Sequence, residues 1–144
     1  MLRVALTAPD DMDGWRSAAR RLAMAGVDAA DVVWQVGDAP GDLFGDAPLP
    51  PKDTSSAFSV PRSFVSLAES AILHSDPSRF AFLYALLCRV RARPGTMEDS
   101  ADPMLARVQA LAKSVRRDIH KMRAFVRFRE MADADGPRFV AWFE

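Results

Sequence analysis

Residues 105–130 constrain the fold more than any other stretch, because an amphipathic helix there passes into a strand with no turn between them. Apolar residues recur every three or four positions, which predicts one buried stripe on a helix. The residues of this stripe are Leu105, Val108, either Leu111 or Ala112, Val115, Ile119 and Met122. From residue 124 the spacing changes to two, with Val126 and Phe128 on the core side. We therefore expect one side of both elements to pack against the core and the other side to be exposed to solvent.

The same stretch has an unusual charge. It holds eight Lys or Arg residues and two acidic residues, whereas the formal charge of the whole chain is zero, so the remainder is acidic. This split is typical of a chain that binds a polyanion such as nucleic acid, since cations spaced three or four apart on a helix reach consecutive phosphates. An ordinary solvated helix face is the alternative. The candidate phosphate-binding residues are Lys113, Arg116, Arg117, His120, Lys121, Arg123, Arg127 and Arg129.

Three residues of this segment have roles of their own. His120 either hydrogen-bonds a phosphate or a base as a neutral imidazole, or has a packing or capping role. Asp118 is expected to pair with Lys121 or a neighbouring arginine, and its functional role would be to hold a guanidinium in the orientation that a phosphate needs. Phe125, if exposed, stacks on an unpaired base. We assign no catalytic residue, because Asp118 and His120 are two apart on a helix and point about 200° away from each other.

The N-terminal part of the chain predicts a β-α-β unit. Strands are expected at residues 2–7 and 32–36, with a helix between them that begins after Asp10 or Asp11 and reaches about residue 25. Residues 37–57 then form an irregular acidic loop rich in glycine and proline. Within that loop, Leu43 and Phe44 either dock a protein partner or pin the loop onto the core.

Proline marks the later helices. Asp76-Pro77 and Asp102-Pro103 each combine a good N-cap with a good first helical residue, and Pro61 opens a helix that reaches about residue 74. A turn at residues 133–137 and a returning strand predict a C-terminal hairpin. The predicted fold class is α+β, with a small, mostly antiparallel sheet, including the β-α-β start and the hairpin, packed against about four helices. Residues 1–144 are expected to form one domain.

Composition excludes several classes of site. The chain has one cysteine, Cys88, and two histidines, so we expect no internal disulfide, no metal site and no cofactor. No glycine-rich phosphate loop follows the first strand. The sequence contains neither a signal peptide nor a stretch apolar enough to span a membrane. A cytoplasmic protein without a membrane partner is therefore expected.

The chain resembles a bacterial domain family of unknown function whose members are associated with DNA metabolism or repair. The resemblance is carried by the run KSVRRDIHKMRAFVRFRE at residues 113–130 and by FVAWFE at residues 139–144. Weaker similarity is found in DGWR at residues 13–16, DLF at 42–44, VPRSF at 60–64 and RFAFLY at 79–84. Family members occur alone or fused ahead of a uracil-DNA glycosylase superfamily domain, and they are associated with a radical-SAM DNA-modification protein. The family continues beyond this last run, so a shortened member or an excised domain is expected here.

Two hypotheses of different classes follow. The first is a DNA-repair or DNA-metabolism accessory domain that binds nucleic-acid phosphates through residues 113–129 and is not itself an enzyme. The second is a protein-interaction module that docks a uracil-DNA glycosylase or radical-SAM partner through Leu43 and Phe44 or through the hairpin. A nucleic-acid enzyme with Asp118 and His120 in its site would require those side chains to converge in a cleft.

Overall fold

The computed structural model describes residues 1–37, 47–55, 58–124, 127–133 and 136–142, and for residue 124 and the last two ranges it describes the backbone alone. Four helices and two pairs of strands make up this part of the chain. In chain order they are β1 (Leu2–Leu6), α1 (Met12–Met24), β2 (Val32–Val36), α2 (Arg62–Ala71), α3 (Arg79–Ala92), α4 (Pro103–Ala124), β3 (Arg127–Asp133) and β4 (Gly136–Trp142). Short 3-10 helices lie at Ala29–Asp31 and Thr96–Glu98.

The N-terminal unit is β-α-β, as the sequence predicts. β1 and β2 pair in parallel with Leu2 opposite Val32 and Leu6 opposite Val36, and α1 forms the crossover between them. Asp11 is the N-cap of α1, and its Oδ1 accepts a hydrogen bond from the Gly14 backbone N–H at 2.9 Å. Its Oδ2 accepts from the Thr7 hydroxyl at 2.8 Å, so the carboxylate ties the start of α1 to the end of β1.

An aromatic cluster lies between this unit and the later helices. The Trp15 ring of α1 lies 6.1 Å from the Trp34 ring of β2 and 6.4 Å from the Phe64 ring of α2, measured between centroids. Trp34 in turn lies 5.8 Å from Tyr84 of α3. The Tyr84 hydroxyl donates to the Val27 carbonyl at 2.7 Å, so the ring is packed and its polar end is also satisfied. The hydrophobic core is therefore continuous from the sheet to α3.

A buried arginine fixes the connection between α2 and α3. Arg79 is only 6% exposed, and its guanidinium donates to the carbonyl oxygens of Ile72 at 2.8 Å, Asp76 at 2.9 Å and Pro9 at 2.6 Å. Each of these carbonyls belongs to a different segment. The end of α2, the start of α3 and the loop after β1 therefore meet at this guanidinium.

The observed bounds of the helices and strands are close to the predicted bounds, whereas the predicted fold class is not observed. β2 has its predicted bounds, while β1, α1, α3 and α4 begin and end within two residues of theirs. α2 ends at Ala71, three residues earlier than predicted. The expected loop at residues 37–57 lies largely outside the described residues.

The predicted fold class is wrong. The described chain is mostly helical, and the sheet that packs among its helices consists of the two parallel strands β1 and β2. β3 and β4 pair with each other and not with β1 or β2, so the expected small antiparallel sheet that includes both ends of the chain does not exist. The prediction failed because the strand pattern shows where strands are, whereas their assignment to one sheet depends on where α4 carries the chain.

Candidate nucleic-acid interface

The predicted site lies on a part of α4 that extends beyond the rest of the helices. At the start of α4, Asp102 binds Arg89 near the end of α3, and further along the Arg107 guanidinium carbon lies 4.9 Å from the centroid of the Phe82 ring. α3 and α4 therefore run in opposite directions. At about 1.5 Å per residue, the 22 residues of α4 span about 33 Å and the 14 residues of α3 about 21 Å. The last turns of α4 consequently project past the start of α3.

We call residues 116–123 the overhang. All eight of these residues are exposed. The residues before them alternate between buried and exposed positions, and the buried ones pack against the core; these are Leu105, Val108, Leu111, Ala112 and Val115. The helix therefore changes its surroundings at residue 116 without changing its backbone conformation.

The predicted buried stripe is wrong in its second half. Ile119 is 36% exposed and Met122 is 47% exposed, although both continue the helical spacing of the buried residues. The periodicity is intact, but no described part of the chain covers these two side chains. Val126 lies outside the described residues, and nothing is described of the Phe128 side chain.

The basic side chains in the second half of α4 have no ionic partner among the described residues. All six cationic or imidazole residues from 113 to 123 are exposed, namely Lys113, Arg116, Arg117, His120, Lys121 and Arg123. Within residues 1–37, 47–55 and 58–123, no hydrogen bond or ion pair engages any of them. The positive charge of this face is therefore not neutralised by the acidic remainder of the described chain. For Arg127 and Arg129, the structure gives the backbone register in β3, opposite Trp142 and Val140.

These six residues share one face of α4. Lys113, Arg117 and Lys121 follow one another at four-residue intervals, which places each about 6 Å further along the helix axis. Arg116 and His120 are spaced in the same way beside them. At about 100° per residue, all six fall within roughly half of the circumference. Lys113, Arg117, His120 and Lys121 lie on the side away from the residues that pack on the core, whereas Arg116 and Arg123 lie at its border, Arg123 at the same rotation as Leu105 five turns earlier. The result is one continuous basic face.

Asp118 and His120 do not form an acid–base pair. α4 is continuous from Pro103 to Ala124, so the two side chains leave it about 200° apart. In the part of the chain with described side chains, Asp118 makes no hydrogen bond or ion pair, and neither residue lines a described groove. The role of Asp118 in orienting an arginine stays a prediction, and the convergence that an enzyme would need is absent among these residues.

Other arginines are engaged in structural contacts. Arg21 donates to the carbonyls of Leu49 and Pro50, which ties residues 47–55 to α1. Arg91 donates to the carbonyl of Ala23, and its guanidinium carbon lies 5.1 Å from the centroid of the Phe58 ring. Arg93 lies 3.7 Å from the Asp99 carboxylate. The basic end of α3 is therefore built into the fold, unlike the overhang.

The grooves of the described chain do not coincide with the basic face. A groove of about 560 Å³ lies at the C-terminal end of α3, away from the overhang, and is lined by residues that include Asp28, Cys88 and Arg91. Burial raises the pKa of the Cys88 thiol, so the thiolate is disfavoured there. Among the described residues, no cluster of three or more His, Cys, Asp or Glu side chains is arranged to hold a metal ion. Leu43 and Phe44 lie outside the described residues.

No helix in the described part of the chain combines the length and apolar character that crossing a membrane requires.

The sequence does not predict the structural role of Arg79. Its only signal was its position directly after Pro77-Ser78 at the start of an apolar helix, which does not distinguish it from an exposed arginine.

The C-terminal part of the chain matches a known family model. Residues 77–144, just under half of the chain, match domain of unknown function DUF4130. The matched range contains α3, α4, β3 and β4, and with them the whole basic face. Neither a curated protein nor a solved structure matches the chain.

Proposed function

We propose that this chain is a nucleic-acid-binding accessory domain that uses the basic face of α4 to hold phosphates. The observation that carries the proposal is that six cationic or imidazole side chains are exposed on one helix face with no described ionic partner. An ordinary solvated helix face is the alternative, and the binding test below separates the two. Here the charge is left available to an external polyanion.

The energetics of phosphate binding suit this arrangement. A cation placed on a phosphate releases condensed counterions, which is the main source of sequence-independent affinity for nucleic acid. Arginine adds paired donors that match two phosphate oxygens. The rows of α4 supply several such contacts without moving the backbone. Arg127 and Arg129 extend the proposal into β3.

The cellular context of the proposal comes from the resemblance of residues 113–130 and 139–144 to a family associated with DNA metabolism or repair. On that basis we propose that DNA is the polyanion and that the chain works beside a catalytic partner, a uracil-DNA glycosylase domain or a radical-SAM protein. The proposal assigns no catalytic role to any residue of this chain. Asp118 would act by orienting an arginine once phosphate is bound.

Fluorescence anisotropy with a labelled DNA across a series of salt concentrations tests the proposal. Binding is expected to weaken steeply with salt, and the Arg116→Glu, Arg123→Glu double variant is expected to lower the slope of log K against log salt by about 2, one for each lost phosphate contact. The matched control is Lys52→Glu, Arg62→Glu, which changes the charge equally at exposed positions elsewhere. Circular dichroism would establish that both variants remain folded.

Two outcomes would reject the proposal. One is the absence of salt-sensitive binding by the unaltered chain. The other is an equal loss of binding in the control, because the basic face of α4 would then have no special role. If a glycosylase or radical-SAM partner were captured by both charge variants but not by Leu43→Ala, Phe44→Ala, the protein-docking hypothesis would be favoured.

A further inference from the structure

The basic face of α4 points away from the body of the molecule. The face at which α4 packs against α2 and α3 lies on the other side of the helix, and over the overhang even that side is uncovered. A flat or concave surface can therefore approach the basic face without meeting the other helices. An α-helix with its side chains is about 10–12 Å wide, and the major groove of B-DNA is about 12 Å wide.

The positions around the helix sort these residues into three rows. Arg117 and His120 lie near the middle of the basic face, together with Lys113. Arg116 and Arg123 lie on one flank of that face and Lys121 on the other, at about 100° of rotation per residue. A helix lying in a groove meets base edges with its middle row and the two phosphate strands with its flanks.

We propose that the overhang enters the major groove of duplex DNA, with Arg116 and Arg123 on one phosphate strand, Lys121 on the other, and Arg117 and His120 facing base edges. This inference rests on the proposed function and specifies its ligand. Guanine presents two acceptors, N7 and O6, in the major groove, and arginine is the side chain that pairs with both. An imidazole N–H of His120 can donate to a single purine N7.

Two other nucleic-acid forms can be compared with this face. The major groove of an A-form RNA duplex is deep and narrow and does not admit a helix with side chains. Binding to single strands draws on aromatic rings that stack with bases; residues 113–123 contain no Phe, Tyr or Trp, so such binding would depend on Phe125, just beyond the overhang. The overhang by itself therefore favours duplex DNA, and the single-stranded probe in the test addresses the alternative that Phe125 offers.

The test compares three labelled probes of one sequence at one salt concentration: a DNA duplex, an RNA duplex and single-stranded DNA. The DNA duplex is expected to bind about tenfold or more tightly than the RNA duplex, as the loss of one good base contact would produce. A DNA duplex containing 7-deazaguanine lacks the N7 acceptor, so its binding is expected to be weaker while its salt dependence is unchanged.

Arg117→Lys keeps the charge and replaces the planar, paired donors by one flexible ammonium group, so it is expected to reduce the preference for unmodified DNA over 7-deazaguanine DNA. The control is Arg62→Lys, which is expected to keep that preference. Equal affinity for all three probes, with salt-sensitive binding retained, would overturn the groove inference and leave the proposed function standing. Absence of binding to every probe would reject both.

Discussion

Arg89 donates two hydrogen bonds, from Nε at 2.9 Å and from Nη2 at 2.7 Å, to one carboxylate oxygen, Oδ2, of Asp102. The other oxygen, Oδ1, accepts from the backbone N–H groups of Met104 and Leu105 at 2.9 and 3.0 Å, which caps the start of α4. A single carboxylate thus starts α4 and binds it to the end of α3. The direction in which the overhang points is set at this pair.

The pKa of Asp102 supplies a prediction for stability against pH. The Arg89 hydrogen bonds, followed by the Leu105 N–H, hold this pKa below its ordinary value of 3.8. Because the folded state binds the proton less readily than the unfolded state, the stabilisation is present above about pH 4 and is lost as pH falls through the folded pKa. Urea unfolding at a series of pH values is expected to show this loss.

Asp102→Asn isolates the charge, since asparagine also caps a helix well. The variant is expected to be less stable at neutral pH by about 1–2 kcal/mol and to lose part of the decline below pH 4. Asp118→Asn is the control, because no described contact engages that carboxylate. An unchanged acid decline in Asp102→Asn would contradict the prediction.

Tyr84 is the only tyrosine, so its ionisation can be followed without interference from another phenol. Burial raises its pKa well above the ordinary value of 10.0, with smaller contributions from Cys88. The neutral phenol is favoured in the folded state, so this stabilisation is present below pH 10 and is lost as pH rises through the folded pKa. Phenolate absorbance is expected to appear together with unfolding as pH is raised.

Full phenolate absorbance near pH 10 in a protein that is still folded would contradict this expectation. Tyr84→Phe removes the signal and leaves the Val27 carbonyl without its hydroxyl donor, which is expected to cost about 1 kcal/mol of unfolding free energy. Its stability is also expected to decline less at alkaline pH than that of the unaltered chain.

Arg79→Lys tests the buried guanidinium. One ammonium group on a flexible chain cannot reproduce three donors aimed at the carbonyls of Pro9, Ile72 and Asp76. Losing these hydrogen bonds while burying an ammonium group with fewer partners is expected to lower the free energy of unfolding by roughly 2 kcal/mol, measured by urea denaturation. Arg62→Lys, an exposed control at the start of α2, is expected to change it by less than about 0.5 kcal/mol. Equal effects would show that the three contacts add nothing.

Two truncations on α4 test where the core ends. Leu105→Ala removes a fully buried side chain and is expected to cost about 3 kcal/mol, whereas Met122→Ala removes one that is already half exposed and is expected to cost less than about 0.5 kcal/mol. Both are measured by thermal or urea unfolding. A cost at Met122 that approached that at Leu105 would mean that the overhang is covered.

The features that the sequence predicts correctly are those that depend on residues close together in the chain. Asp11 and Asp102 are caps because a carboxylate before a helix satisfies free N–H groups, and this depends on neighbours in the sequence. The burial of Ile119 and Met122 depends instead on how far α2 and α3 extend beside α4, which no pattern within α4 contains. Fold class failed for the same reason, since the partner of each strand is decided at long range.

The same distinction between local and long-range effects applies to the basic residues. Their exposure followed from their spacing relative to Leu105, Val108 and Val115, and the structure agrees with that expectation through residue 123. Their lack of ionic partners was not predictable, because Arg89 and Arg93 have equally ordinary sequence surroundings and yet face Asp102 and Asp99.

The overhang makes the extent of α4 dependent on its ionic surroundings. The overhang continues a helix whose first part is packed, so its own helical turns add to an existing helix without support from a described neighbouring helix. Within it and just before it, the pairs Lys113 and Arg117, and Arg117 and Lys121, set like charges one turn apart, each costing a few tenths of a kcal/mol. Salt or a bound polyanion screens that repulsion. We therefore expect the outer turns of α4 to fray more at low salt than at high salt or with a polyanion bound, a difference that helix content would report.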